Sequence, residues 1–251
     1  MRLNRDVVAN AVALTRFLAR HPRQVTRLRR WWPLRHAAPI DLREPFWPYA
    51  AVEFVEARLP AGSVVFEYGS GGSTLWLTDR GADVTAVEHD PVWHERLLAA
   101  SPRLRLSLHE PAAEGEITTV MAPGFFDAYV AAIDAVPDAS IDLVIVDGRA
   151  RVECVDRAVE KVKPRGLLLL DDTNRRRYAA AYRRLGGWER HDFAGVKSGQ
   201  VRPAQTSVWV RPATATAPLA ADFTRSRATQ GGHAVHRHPE EQFVRQRLAP
   251  H

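Results

Sequence analysis

The chain has 251 residues, 45% apolar and 25% charged, enough for one good hydrophobic core and pointing to a single domain with additions. A single cysteine, Cys154, excludes an internal disulfide framework and suits a reducing compartment. The formal charge of +6 is concentrated in residues 1 to 36, where nine arginines face one acid. Residues 37 to 212 hold 21 basic against 25 acidic side chains, so the body is mildly acidic, which argues against a nucleic-acid substrate, for which a basic groove is expected near the active site.

In chain order, Val7, Val8, Ala11, Leu14, Phe17 and Leu18 fall at helical spacing up to a stop at His21-Pro22, and a second short helix is expected from Arg23 to Trp32. The apolar run from Val7 to Leu14 is too short to span a bilayer and carries no signal-cleavage pattern, so a cytoplasmic protein is expected. Residues 1–44 therefore read as a basic helical addition. Such a helix either packs its apolar side on its own domain or docks on an anionic surface or protein partner.

The stretch PFWPYAAVEFVEARLPAG predicts a helix with Ala51, Phe54, Val55 and Leu59 on one face. It is followed by SVVFEYGSGGSTLWL, an apolar strand ending in Glu67, a glycine turn and a helix start. Strands are then expected at Val84 to Glu88, Leu104 to Leu108, Ile141 to Val146 and Leu167 to Leu170. Helices are expected at Pro91 to Ala100, near Phe125 to Ala135, and at Val152 to Val162. This alternation implies a parallel sheet covered on both faces. Two last runs, Trp188 to Phe193 and Ser207 to Val210, look like an antiparallel closing pair. The α/β body is placed at residues 45–212. Residues 213–251, with His233, His236 and His238, read as a flexible tail with a short helix from Pro239 to Leu248.

Open parallel sheets bind ligands at the carboxyl ends of their strands, and here those ends carry acids: Glu67, Glu88, Asp147 and the pair Asp171-Asp172. Glycines at 69, 71 and 72 let the backbone turn sharply and let a ligand approach the first amides of the next helix. Asp147, Asp171 and Asp172 would repel one another unless a cation lay between them, and hard oxygen ligands of this kind suit magnesium or another divalent cation.

The acidic residue followed by x-G-x-G at Glu67 to Gly71, with Glu88 ending the next strand, resembles the class I S-adenosylmethionine-dependent methyltransferases. The resemblance implies a Rossmann-like methyltransferase fold, a mostly parallel seven-stranded sheet with an antiparallel final strand. It also places Glu67, Gly69 and Gly71 beside the methionine part of the cofactor and Glu88 on its ribose hydroxyls. Ser70, Ser73 and Thr74 in the turn, and His89 beside Glu88, join the cofactor-binding candidates. The three later aspartates are similar to the magnesium ligands of the cation-dependent catechol-type O-methyltransferases, which would make Asp147, Asp171 and Asp172 metal ligands and Asp147 catalytic. That family has a lysine base where this chain has Ala150. The neighbouring Arg149 is a candidate for holding an anionic substrate.

Across FEYGSGGSTLW, VEHDPVWHE, DLVIVDGRAR, LLLLDDTNRRRY and TSVWVR the chain also resembles bacterial class I methyltransferase-like proteins. It is similar in part to the glucuronoxylan 4-O-methyltransferases. These resemblances imply O-methylation of a small or sugar-like substrate, with Arg175, Arg176 and Arg177 suited to an anionic one. Additions before the first strand commonly cover the substrate pocket in this class, which makes Trp31, Trp32, Phe46, Trp47 and Tyr49 candidate lid residues. Two other readings stand beside this one. A nicotinamide-dependent oxidoreductase is opposed by Thr74 in place of a third glycine and by the lack of a Tyr-x-x-x-Lys pair. A non-catalytic Rossmann-like binding module would use the basic N-terminal helix to grip a partner. The sequence leaves the oligomeric state open.

Overall fold

The computed structural model describes residues 5–111 and 125–214. Before the first strand come α1 (Arg5–Arg20), a 3-10 turn (Pro22–Arg27), α2 (Leu28–Leu34), α3 (Pro39–Leu42) and α4 (Tyr49–Glu56). The body then runs β1 (Val64–Tyr68), α5 (Gly72–Asp79), β2 (Asp83–Glu88), α6 (Pro91–Ala100), β3 (Arg105–Leu108), α7 (Asp127–Ala131), β4 (Ile141–Val146) and α8 (Arg151–Ala158). It closes with β5 (Val162–Leu170), a 3-10 turn (Arg176–Tyr178), α9 (Ala179–Arg184), β6 (Glu189–Lys197) and β7 (Gln200–Val210). The strands form one seven-stranded sheet in the order β3-β2-β1-β4-β5-β7-β6. Neighbours are parallel except around β7, which runs antiparallel to β5 and to β6. This is the mostly parallel Rossmann-like sheet with an antiparallel final strand that the sequence implies.

Central strands in such a sheet are buried on both faces, which explains their unbroken Val, Ile and Leu runs. Successive side chains point to opposite faces. Phe66, Tyr68, Val144, Val146, Leu168, Leu170 and Trp209 join a core with α7, α8 and α9, where Cys154 is also buried. Val65, Leu143, Ile145, Leu167, Leu169 and Val208 join a second core with Trp47 and the α4 residues Ala51, Val52 and Val55.

Several expected boundaries shift. The helix predicted from Pro45 begins at Tyr49, with Pro48 as its N-cap, and the one expected from Val152 starts a residue earlier and ends at Ala158. The helix near Phe125 shortens to Asp127–Ala131. Strand β5 begins at Val162 instead of Leu167, its register with β4 shifting between Ile141 and Leu143 while Arg165 takes a positive φ of 64°. Helices α3 and α9, four and six residues long, are too short for a helical period to show in the sequence. Of the apolar side chains assigned to α1, Leu14, Phe17 and Leu18 are half-buried while Val7, Val8 and Ala11 are exposed. The expected tail helix and the three tail histidines lie outside the described residues.

The N-terminal helices are bound to the far end of the sheet. Helix α1 packs against β7. Trp31 Nε1 donates to Gln200 O at 2.9 Å, Gly199 N to Leu34 O at 2.9 Å, and Ser198 Oγ to Glu44 Oε2 at 2.7 Å. Ser198 and Gly199 form the tight turn between β6 and β7. Gly199 has φ +73°, and a Cβ there would lie 2.7 Å from Ala37 O, so both conformation and space demand glycine.

Candidate active site

The turn after β1 is built around Glu67, whose carboxylate is fully buried. Ser73 Oγ donates to its Oε1 at 2.5 Å and Thr74 Oγ1 to its Oε2 at 2.6 Å, while Thr74 Oγ1 accepts from Gly71 N at 2.8 Å. One acid thus holds the start of α5 against the end of β1. Gly69 has φ +86°, and a Cβ on it would sit 2.5 Å from Gly148 Cα, so the turns after β1 and β4 touch backbone to backbone. Trp93 Nε1 fixes the turn from the other side by donating to Ser70 O at 2.7 Å.

Burial pushes the Glu67 carboxyl up to about 7, against the opposing effect of its two hydroxyl donors. The folded chain therefore keeps this proton to higher pH than the unfolded chain does. The stabilisation is complete below the ordinary glutamate value and is lost as pH rises through about 7. Thermal melts recorded from acid to neutral pH should show a falling midpoint in the native protein and a shallower fall in Glu67→Gln; equal slopes would refute the assignment.

Glu88, at the end of β2, is buried and surrounded by donors. Its Oε1 accepts from His89 N at 2.8 Å and Asp90 N at 3.1 Å, and lies 2.7 Å from His89 Nδ1. Its Oε2 accepts from Ser70 N at 3.1 Å and Ser70 Oγ at 2.8 Å. Burial alone would raise its pKa, but the His89 side chain, the backbone amides and Ser70 outweigh it and hold Glu88 below the usual carboxylate range. Arg149 Nε donates to His89 Nε2 at 3.1 Å, which leaves the imidazole proton on Nδ1, facing Glu88. The His89 ring also meets Phe126 and Tyr129 edge-on, with centroids 5.9 and 6.2 Å away. Arg149, expected to hold an anionic substrate, is thus engaged with His89 beside Glu88.

Asp147, Asp171 and Asp172 do converge at the ends of β4 and β5, but the chain supplies its own cations to them. The Arg151 guanidinium is buried and donates to Gly148 O at 3.0 Å, Asp171 O at 2.7 Å and Asp147 O at 2.8 Å. Its Nη2 lies 2.9 Å from Asp147 Oδ1 and its Nη1 lies 3.7 Å from Asp172 Oδ2. Lys197 Nζ, also buried, donates to Phe46 O at 2.8 Å and to Asp171 Oδ2 at 3.4 Å, and Thr206 Oγ1 donates to Asp171 Oδ1. Asp172, at φ +57°, turns to Arg175 at 2.6 Å.

Among the described residues no group of three or more His, Cys, Asp or Glu is arranged to hold a metal ion. The expectation that Asp147, Asp171 and Asp172 are ligands of a divalent cation is corrected on this ground. Arg151, Lys197 and Arg175 lie beside the carboxylates and offset part of their repulsion, and Thr206 donates to an oxygen of Asp171.

Asp147 is the least satisfied of the three. Trp47 Nε1 donates to its Oδ2 at a long 3.4 Å, and Oδ1, although near Arg151, has no partner in hydrogen-bond geometry. Burial, followed by the charge of Asp171, pushes its carboxyl well above the ordinary aspartate value. Of the aromatic lid candidates, Trp47 and Phe46 reach the site, Trp31 and Tyr49 are core residues held to the β6–β7 turn, and Trp32 is exposed. Arg177 is spent on the Tyr178 hydroxyl at 3.0 Å, so of the arginine cluster two members have partners within the chain. Lys197 and Thr206 escape sequence reasoning altogether. One signal was available, since Lys197 is one of only three lysines, the others being Lys161 and Lys163.

No protein-family model matches the chain, and no curated protein matches it. Solved structures do. A methyltransferase-like protein from Silicibacter pomeroyi is 28% identical, covering 67% of this chain and 90% of that one at a TM-score of 0.46. Precorrin-6y C5,15-methyltransferase from Geobacter metallireducens is 18% identical, covering 64% and 86% at a TM-score of 0.43. The N-methyltransferase NodS from Bradyrhizobium japonicum in complex with S-adenosyl-L-homocysteine is 14% identical, covering 65% and 86% at a TM-score of 0.42.

Proposed function

We propose that this chain is an S-adenosylmethionine-dependent methyltransferase that methylates an oxygen of a small or sugar-like substrate, with residues 45–212 as its catalytic domain and residues 1–44 as a cover. The observation that carries the reading is the donor set of Glu88. Three of its four hydrogen-bond donors are backbone amides fixed by the fold, and the fourth, Ser70 Oγ, is a side chain that can rotate away, as can the His89 ring, whose Nδ1 lies 2.7 Å from Oε1 outside hydrogen-bond geometry. A vicinal diol offers two hydroxyl donors, so exchanging the two side chains for a ribose leaves the carboxylate as fully satisfied as before. The glycine turn, Ser70 and His89 therefore fit the cofactor, with Glu67 acting one step behind by holding Ser73 and Thr74 in place.

When bound, S-adenosylmethionine supplies an electrophilic methyl group. The chain's own part is to place and deprotonate the acceptor. Asp147 follows β4, next to the backbone contact between Gly69 and Gly148, and carries a buried Oδ1 with no hydrogen-bond partner in the chain. An acceptor hydroxyl donating to that oxygen would be oriented toward the glycine turn. Burial raises the proton affinity of Asp147, which suits it to take the hydroxyl proton as the new bond forms. Arg151 keeps the β4 and β5 ends together, and Lys197 and Thr206 engage the two oxygens of Asp171.

Calorimetric titration of the full chain with S-adenosylmethionine and, separately, NADH tests the reading. Saturable binding of the first alone is expected. Binding of NADH alone would move the assignment to a nicotinamide-dependent oxidoreductase, and binding of neither would favour a non-catalytic module.

A further inference from the structure

Six large apolar side chains stand exposed among the described residues, and five of them lie within the N-terminal layer: Val7, Val8, Val12, Val25 and Trp32. The inward side of this layer has its partners, since Leu14 and Leu28 pack with Trp31, Tyr49 and Val196. On the outward side Val8, Val12, Arg16 and Arg20 follow one another at four-residue steps, so they form one line along α1. Trp32, the most exposed of the six at 62%, carries the Arg35 guanidinium 4.0 Å above its ring.

The same layer is cationic. Arg27 and Arg30 are tied to Glu53 and Glu44, whereas Arg16, Arg20, Arg23 and Arg29 are exposed and make no ion pair with a described residue. A nucleic acid would meet these arginines and leave the valines and the indole in water. An anionic bilayer satisfies both, with headgroups against the guanidinium groups and the acyl boundary against Val8, Val12 and Trp32. Among the described residues no helix is long and apolar enough to cross a membrane, so the contact would be an interfacial one. We infer that the outward face of the N-terminal layer docks on an anionic lipid surface. The inference stands apart from the methyltransferase reading, because none of these side chains belongs to the candidate site.

Co-sedimentation of the full chain with vesicles of phosphatidylcholine alone, and of phosphatidylcholine mixed with phosphatidylglycerol, tests it. Binding only to the mixed vesicles, weakened by added salt, is expected. Each basic side chain near such a surface is worth about a fivefold change in partition, so Arg16→Gln with Arg20→Gln should lower it by about 25-fold. Val8→Ser with Val12→Ser should lower it by about tenfold, and Val92→Ser, an exposed valine outside the layer, should not change it. Failure to sediment with anionic vesicles at low salt would overturn the proposal, as would binding that the valine pair leaves unchanged. Retention of duplex RNA without retention by vesicles would assign the face to nucleic acid. A shift from dimer to monomer in the valine variant, without vesicle binding, would assign it to a second copy of the chain.

Discussion

Exchanging Arg151 for methionine should destabilise the protein by about 3–5 kcal/mol, the range for removing one partner of a buried ionic cluster. Methionine preserves much of the packing volume but leaves three carbonyl oxygens, on Asp147, Gly148 and Asp171, without the donor that serves them. It also leaves Asp147 and Asp172 facing each other with less positive charge between them. The cost comes from those stranded groups more than from the lost attraction, so Arg151→Lys, which restores the charge but not the three-way fork, should recover only part of the loss. Urea unfolding followed by tryptophan fluorescence measures both variants. A methionine variant within about 0.5 kcal/mol of the native protein, the scale of an ordinary surface substitution, would show that the clamp does not hold β4 to β5.

Glu88→Gln should weaken S-adenosylmethionine binding by about 10- to 100-fold, the equivalent of losing charge-assisted hydrogen bonds worth about 1.5–3 kcal/mol. The glutamine amide turns one acceptor oxygen into a donor group in a place already filled with backbone N–H groups. The companion substitution separates cofactor recognition from general loosening of the turn. Ser70→Ala removes a hydroxyl that competes for Oε2, so it should leave affinity within about threefold of the native value, the smaller scale of a neutral hydrogen bond. If calorimetry gave equal losses for both substitutions, Glu88 would be a turn-building residue and the ribose would have to find another acceptor.

The side of the site proposed to take the cofactor is legible in the sequence because all of it lies between Glu67 and His89. Within that stretch a doubly buried strand, an obligatory glycine turn and an acid at the next strand end each leave a local mark. The acceptor side is not local. Asp147 shows itself as the acid after an apolar run, but what surrounds it does not: Trp47 arrives from 100 residues earlier, and Lys197 reaches Asp171 from 26 residues later through a hairpin. Composition alone suggests three repelling carboxylates in need of a metal. Only the folded chain shows Arg151 and Lys197 among them. For the same reason the sequence puts Val7, Val8 and Ala11 on the apolar side of a helix and leaves its cover open, since helical spacing reveals that side chains share a side and not whether anything covers it.

The tie between the N-terminal helices and the β6–β7 turn bears on the order in which the molecule comes together. Trp31 and Gln200 are 169 residues apart, and Lys197 closes onto Phe46 across 151. Contacts of such separation form late, after loop-closure entropy has been met by the sheet already in place. On the ribosome the glycine turn and Glu88 can be finished while residues 189 to 210 are still unmade, but the buried ammonium group and the strap that receives it cannot. A nascent chain would therefore complete the glycine turn and Glu88 well before the surroundings of Asp171, and a release before residue 197 would leave that carboxylate without Lys197 and Thr206.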